Sequence, residues 1–189
     1  MAHKIPALTR EEVLRLLEVT EDHDYQFHIM CLIGISHGCR VSELIGLRKS
    51  DFIESASGTY LRLVRLKGSL TTTQQLLDIE RKKVVEYIAD LKPEELLFQN
   101  NHEEFTRFRI NYLCKRFGKM AGIPIHKCHP HAMFKHTAGM LLRLSGANIE
   151  DIADHLGHKS IQNSRVYMNN TAEEVHEVAN KAFAFAAGE

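Results

Sequence analysis

The sequence predicts a mainly α, α+β fold in which one helical domain carries a small antiparallel β-sheet or hairpin. Apolar residues recur at helical spacing in several separate segments, while one stretch between 52 and 77 changes to alternation around a turn, and no linker divides the chain. At 189 residues the chain can bury a core without disulfides or metals, and its 44% hydrophobic and 25% charged residues are a globular balance.

The elements follow in order. "ALTREEVLRLLEV" pairs Thr9 with Glu12 in a capping-box pattern ahead of Val13, Leu16 and Leu17, which predicts a helix from residue 9 or 10. "YQFHIMCLIGISHG" (25–38) is apolar nearly all round, as a buried helix is, and Gly38 is placed to cap its end. A short amphipathic turn, "RVSELIGL", comes next. "TYLRLVRL" then alternates branched or aromatic residues with Arg62 and Arg65, "KGS" supplies a turn and "LTTTQQLL" resumes an extended pattern, predicting a hairpin with room for a third strand. Helical patterns return at 79–91, 102–120, 131–145, 148–156, 160–168 and 171–186, punctuated by Pro93, Gly122, Pro124, Pro130, Gly146 and Gly157. The last of these runs into the alanine-rich "KAFAFAAGE", an apolar surface suited either to its own core or to a neighbouring subunit.

Several classes of function are set aside by composition. No apolar run approaches the roughly 20 residues that span a bilayer, and "MAHKIPALTREE" lacks the apolar core of a signal peptide, so a cytoplasmic protein with no membrane partner is expected. Cys31, Cys39, Cys114 and Cys128 form no C-x-x-C pair, which points to reduced thiols rather than a disulfide framework or a cysteine-rich zinc site. Lys and Arg together number 24, as do Asp and Glu, so any affinity for nucleic acid must rest on local placement and not on overall charge.

One short stretch is chemically dense. "CHPHAMFKH" (128–136) holds three histidines, a cysteine and a lysine. Helical zinc ligands sit at i and i+4, whereas His131 and His136 are five apart and Lys135 would place a cation beside the ion, so no metal is expected here. Pro130 favours a helix start immediately after it, and a helix N-terminus with an imidazole and an ammonium suits an anion such as phosphate. The plainer alternative is that His129 and His131 are satisfied cap and loop residues.

Three further segments bear on that choice. "GCRVSEL" holds Arg40 and Glu43 one helical turn apart, "RLKGSL" puts Lys67 in the hairpin turn, and "DHLGHKSIQNSRVYMNN" places Tyr167 nine residues after His158. In order and spacing these segments resemble the tyrosine recombinase, or phage integrase, family from about residue 8 to 170. That family's first box is G-x-R-x-S-E-L, its lysine lies in a hairpin turn, and its last box is L-G-H followed nine residues on by tyrosine. Its second box, H-x-x-R followed by histidine, is altered here. Lys135 stands in the second arginine position, followed by His136, and His131 lies four residues before it rather than three, as if one residue were inserted.

The resemblance implies a single catalytic domain over 1–189, without the N-terminal clamp domain that family members usually add. It also implies DNA strand cleavage and rejoining through a covalent 3′-phosphotyrosyl intermediate, with no metal or other cofactor. Tyr167 would be the nucleophile, Arg40, Lys135 and His158 would hold the phosphate, and His131 would hydrogen-bond the phosphate or accept the tyrosine proton. Lys67 would protonate the leaving 5′ oxygen, and Glu43 and His136 would play supporting parts. On this resemblance His131 and Lys135 are expected to share a face near Arg40 and His158, with His129 and His136 outside the catalytic shell. Lysine keeps the charge of the missing arginine but loses its two-pronged grip, so weakened stabilisation of the transition state is expected. Arg62, Arg65 and Arg143, with Lys115, Arg116 and Lys119, are candidates for DNA backbone contacts. The partners implied are double-stranded DNA and further copies of the chain on it, as a tetrameric synapse, with 171–186 as the docking segment. The competing reading is a catalytically impaired relative that binds DNA, or regulates, without cutting.

Overall fold

The computed structural model describes residues 5–66, 68–100 and 103–168. Helix α1 (Arg10–His23) begins on the predicted box: Thr9 Oγ1 accepts from the Glu12 amide at 3.2 Å, and the Glu12 carboxylate accepts from the Thr9 amide at 2.8 Å. Helix α2 (Tyr25–Ser36) starts on Asp24, whose carboxylate accepts from the Phe27 amide, and every residue from Phe27 to Ile35 is buried. It is the central helix that its all-round apolar sequence predicts. Gly38, at φ 59°, closes it, with the Cys39 amide donating back to the Gly34 carbonyl at 3.1 Å. That left-handed turn delivers Arg40 to the start of the short helix α3 (Val41–Ile45).

The sheet has three antiparallel strands in the order β1 (Phe52–Ser55), β2 (Gly58–Leu63), β3 (Thr72–Gln75), with Leu61 opposite both Phe52 and Gln74. The hairpin read from the sequence is β2–β3, and β1 is the third strand. Strand β2 ends at Leu63, so residues 64–71 form a longer connection than "KGS" alone suggested. Helix α4 (Asp78–Ile88) follows, then a two-stranded ribbon of β4 (Gln99–Asn100) and β5 (Glu103–Glu104) that the sequence did not announce. Helix α5 (Arg107–Met120) therefore begins later than the predicted residue 102, on Thr106, whose hydroxyl accepts from the Arg109 amide.

A π-helical turn (His131–His136) leads without a break into α6 (Thr137–Leu144), and α7 (Ile149–His155) packs on α6. Gly34 makes the close approach of α2 to the π-helical turn possible, because a Cβ there would lie 2.9 Å from the Phe134 ring. The helix predicted at 160–168 is instead two 3₁₀ turns, Ile161–Asn163 and Arg165–Tyr167. Ser160 caps the first, and the Ser164 hydroxyl is engaged by His158, so the chain tightens and carries Tyr167 inward. The main core runs through α1, α2, the sheet, α4 and α5. A smaller cluster of Ala138, Ile152, Leu156 and Tyr167 lies between α6, α7 and the last turn. All four cysteines are buried free thiols. The predicted segment 171–186 lies outside the described residues. Among those described, no helix is long and apolar enough to cross a membrane.

Candidate active site

Glu43, on α3, organises the first wall. Its carboxylate accepts from the backbone amides of Arg40 (2.8 Å) and Leu66 (3.1 Å) and from the guanidinium groups of Arg40 (2.8 Å) and Arg65 (3.2 Å). Burial alone would raise its pKa, but these amides and guanidinium groups hold it below the ordinary carboxylate range. Arg40 is thereby fixed at the head of α3, and it also donates to the Leu66 carbonyl and to Ser69 Oγ at 3.1 Å.

Arg65 serves as an internal strut. Its side chain is 0% exposed and donates to the carbonyls of His37 (2.7 Å), Gly38 (3.1 Å) and His155 (3.0 Å) as well as to Glu43. The expectation that it contacts DNA alongside Arg62 is corrected by this geometry. Residues three apart in an extended chain point to opposite faces, so Arg62 is exposed, 3.8 Å from Asp51, while Arg65 turns inward. Arg143 is partly buried on α6.

The extra residue between His131 and Lys135 is taken up by the π-helical turn. The Thr137 amide reaches Ala132 O, five residues back, and Thr137 Oγ1 donates to the same oxygen at 2.7 Å. The two residues expected to share a face differ in burial. His131 is exposed, whereas Lys135 is 3% exposed and its ammonium donates to the Leu156 carbonyl at 3.0 Å. Burial, then the charges of Arg40 and Arg65, lower the Lys135 pKa to about 7.

At the end of α7, Gly157 at φ 64° forms another left-handed cap, with the His158 amide donating to the Ala153 carbonyl at 2.8 Å. His158 Nδ1 then lies 2.8 Å from Ser164 Oγ, and burial together with Lys135, Arg40 and Arg65 lowers its pKa to about 4. Tyr167 is 2% exposed, and a Cβ added at Gly139 would lie 2.6 Å from its ring, so the ring rests directly on the α6 backbone. Burial, opposed by Arg40, pushes its hydroxyl up to about 12. That hydroxyl lies 3.2 Å from His136 Nδ1. The expectation that His136 stands outside the shell is thus corrected, since the next residue along from the inward Lys135 faces the tyrosine. Lys67 lies outside the described residues. Among the described residues no group of three or more His, Cys, Asp and Glu is placed to hold a metal ion.

Arg40, Lys135, His158 and Tyr167 therefore come from four separate segments into one electrostatic neighbourhood. A family model described as the phage integrase family matches residues 6–174. The chain belongs to the phage integrase family. Among its relatives, the tyrosine recombinase XerA of Thermococcus kodakarensis is 29% identical over 184 residues, covering 93% of this chain and 62% of that protein. The type 1 fimbriae regulatory protein FimB of Escherichia coli K12 is 27% identical over 183 residues, covering 93% and 90%. A crystal structure of the XerH site-specific recombinase bound to difH substrate superposes with a TM-score of 0.75 at 20% identity, over 95% of this chain and 55% of that one.

Within this integrase fold, several supporting residues carried no sequence signal of their own. Ser69 and Ser164 are recognisable only through the arginine and histidine they meet, and Gly139 only through the ring it admits. His37 is another: buried beneath the site, it spans Gln74 Oε1 at 2.8 Å and Glu80 Oε1 at 2.7 Å, joining β3 to α4.

Lys135 also makes stability depend on pH. Its folded pKa, about 7, lies below its ordinary value of 10.5, so between those values the unfolded chain binds the extra proton and stability rises with pH. Lys135→Met, which keeps an unbranched stem, is expected to stabilise the protein most below pH 7. That advantage should shrink by about 1.4 kcal/mol per pH unit above it, so by roughly 3 kcal/mol between pH 7 and 9. Urea unfolding of both proteins at pH 6, 7, 8 and 9 measures the difference, and a gap that stays constant contradicts it.

Proposed function

We propose that the chain is the catalytic domain of a site-specific DNA recombinase that cuts and rejoins strands through a 3′-phosphotyrosyl intermediate. The carrying observation is the convergence of Arg40, Lys135 and His158 near a buried tyrosine whose hydroxyl already meets a neutral imidazole. Arg40, anchored by Glu43, supplies a guanidinium that can hold two non-bridging oxygens. His158 adds a hydrogen bond, and Lys135 a cation that a phosphate in the site would keep protonated by raising its lowered pKa. Together they stabilise charge as it develops on the phosphorane. Tyr167 conserves the energy of the phosphodiester in its own ester, so rejoining needs no nucleotide cofactor. Lys67, in the β2–β3 connection, is the proposed general acid for the leaving 5′ oxygen.

The XerH structure with difH supports double-stranded DNA as the substrate class. Exposed Arg62, the exposed Lys115, Arg116 and Lys119 of α5, and the partly buried Arg143 of α6 are proposed backbone contacts. Assembly of copies on DNA as a tetramer, with 171–186 as the docking segment, and a cytoplasmic site of action belong to the same proposal.

The test is covalent trapping. A labelled pool of nicked duplexes with randomised inverted-repeat arms is incubated with the full chain in EDTA, and adducts are resolved under denaturing conditions. A protein–DNA adduct is expected; none at any DNA concentration overturns the reading. One observation favours the second reading, a DNA-binding relative that cuts poorly: the Lys135 ammonium is held by the Leu156 carbonyl. If Lys135→Arg creates adduct formation that the parent chain lacks, that reading replaces the first.

A further inference from the structure

Two histidines stand within one turn of each other, and their positions are not equivalent. His131 is exposed, and its ring meets the edge of His136 at a centroid distance of 4.2 Å. His136 is half-buried, its ring 6.0 Å from that of Tyr167 and its Nδ1 3.2 Å from the hydroxyl oxygen. The tyrosine cannot easily drift from this contact, because its ring rests on Gly139 in a slot that a single methyl group would fill. The π-helical turn produces the arrangement: its five-residue hydrogen-bond step, seen in the Thr137 amide reaching Ala132 O, brings residues five apart over one another, and so the His131 ring meets that of His136.

We propose that in this chain His136, rather than His131, accepts the Tyr167 proton as the tyrosine oxygen attacks the scissile phosphate, an inference that rests on the recombinase reading above. Burial and the neighbouring His131, His129 and Lys135 keep His136 uncharged near neutral pH, its pKa lowered to about 4. An imidazole that accepts at Nδ1 carries its own proton on Nε2. In the step itself, the bond from Tyr167 Oη to phosphorus forms as the bond from phosphorus to the 5′ oxygen breaks. The hydroxyl proton passes to His136 Nδ1, and the departing 5′ oxygen takes a proton from Lys67 or water. The developing phosphorane brings negative charge beside His136 and so favours the imidazolium that forms. In rejoining, the same imidazolium returns its proton to the tyrosine.

Initial rates of adduct formation, measured on the best-cleaved sequence from the nicked-duplex pool, decide the matter. His136→Gln can still meet the tyrosine hydroxyl but cannot take its proton, and it is expected to slow adduct formation by about a hundredfold or more, while His131→Gln costs less than about tenfold. Added imidazole should restore His136→Ala by at least about tenfold, increasing with the basicity of substituted imidazoles, a rescue that a purely structural loss would not show. His136→Gln within about threefold of the parent, or His131→Gln the more damaging of the two, overturns the proposal. So does a folded His136→Ala that imidazole does not rescue; if that variant does not fold, the two glutamine variants decide alone. A parent chain with no adduct removes the recombinase reading and this inference with it, whereas a parent that forms adduct with His136→Gln within about threefold of its rate removes the inference only.

Discussion

Tyr167→Phe is expected to abolish the covalent adduct at every DNA concentration while leaving the fold nearly intact. The phenyl ring keeps the whole contact with Gly139 and with the cluster of Ala138, Ile152 and Leu156, so no cavity opens. What is lost is one hydrogen bond to His136, a net cost of about 1 kcal/mol. Loss of activity can then be separated from loss of structure, which Tyr167→Ala would not allow, since truncating a buried aromatic residue costs about 3–5 kcal/mol. Urea unfolding and denaturing gels on the same preparation measure both quantities. A Phe variant that still forms adduct assigns the nucleophile to another residue.

Glu43→Ala should have the largest effect on stability. The carboxylate is the shared acceptor for two backbone amides and two guanidinium groups, and Arg65, with no exposed side-chain surface, has it as its counter-ion. Removing one partner of a buried pair strands the other charge, at a cost of about 3–5 kcal/mol, a large fraction of the 5–15 kcal/mol by which domains are stable. Glu43→Gln retains the shape and one acceptor oxygen, so its loss should be smaller. Equilibrium unfolding checks the order. If Glu43→Ala unfolds within about 1 kcal/mol of the parent, Glu43 does not hold this wall together. Both variants should also lose adduct formation in conditions where they remain folded, because Arg40 is positioned by the same carboxylate.

Much of the fold was legible because its signals are local. Thr9 and Glu12 cap a helix through bonds spanning three residues, and Gly38 and Gly157 take left-handed conformations that side chains resist. The apolar run of α2 and the alternation of β2 follow from the periods of their backbones. The boxes around Arg40, His158 and Tyr167 were legible as a family pattern for the same reason, each being a short segment at near-fixed spacing. Where local signals were weak the prediction slipped: the β4–β5 ribbon replaced the first predicted turn of α5, and two 3₁₀ turns replaced a helix over 160–168.

The chemistry of the second box was present in the sequence, but its geometry was not. Spacing showed one residue too many between His131 and Lys135, and nothing in the order of letters says whether a loop, a kink or a π-helical turn absorbs it. Packing against α2 accompanies that choice, with Lys135 directed inward to the Leu156 carbonyl, His131 exposed and His136 brought to Tyr167. Arg65 changed role in the same way, since its burial depends on carbonyls from α2 and α7 that are far away along the chain. Composition and spacing thus decided which groups the chain carries and which backbone forms hold them. Which of those groups face one another was settled by contacts between distant segments, because side-chain direction is fixed only once the helices and strands that carry it are packed.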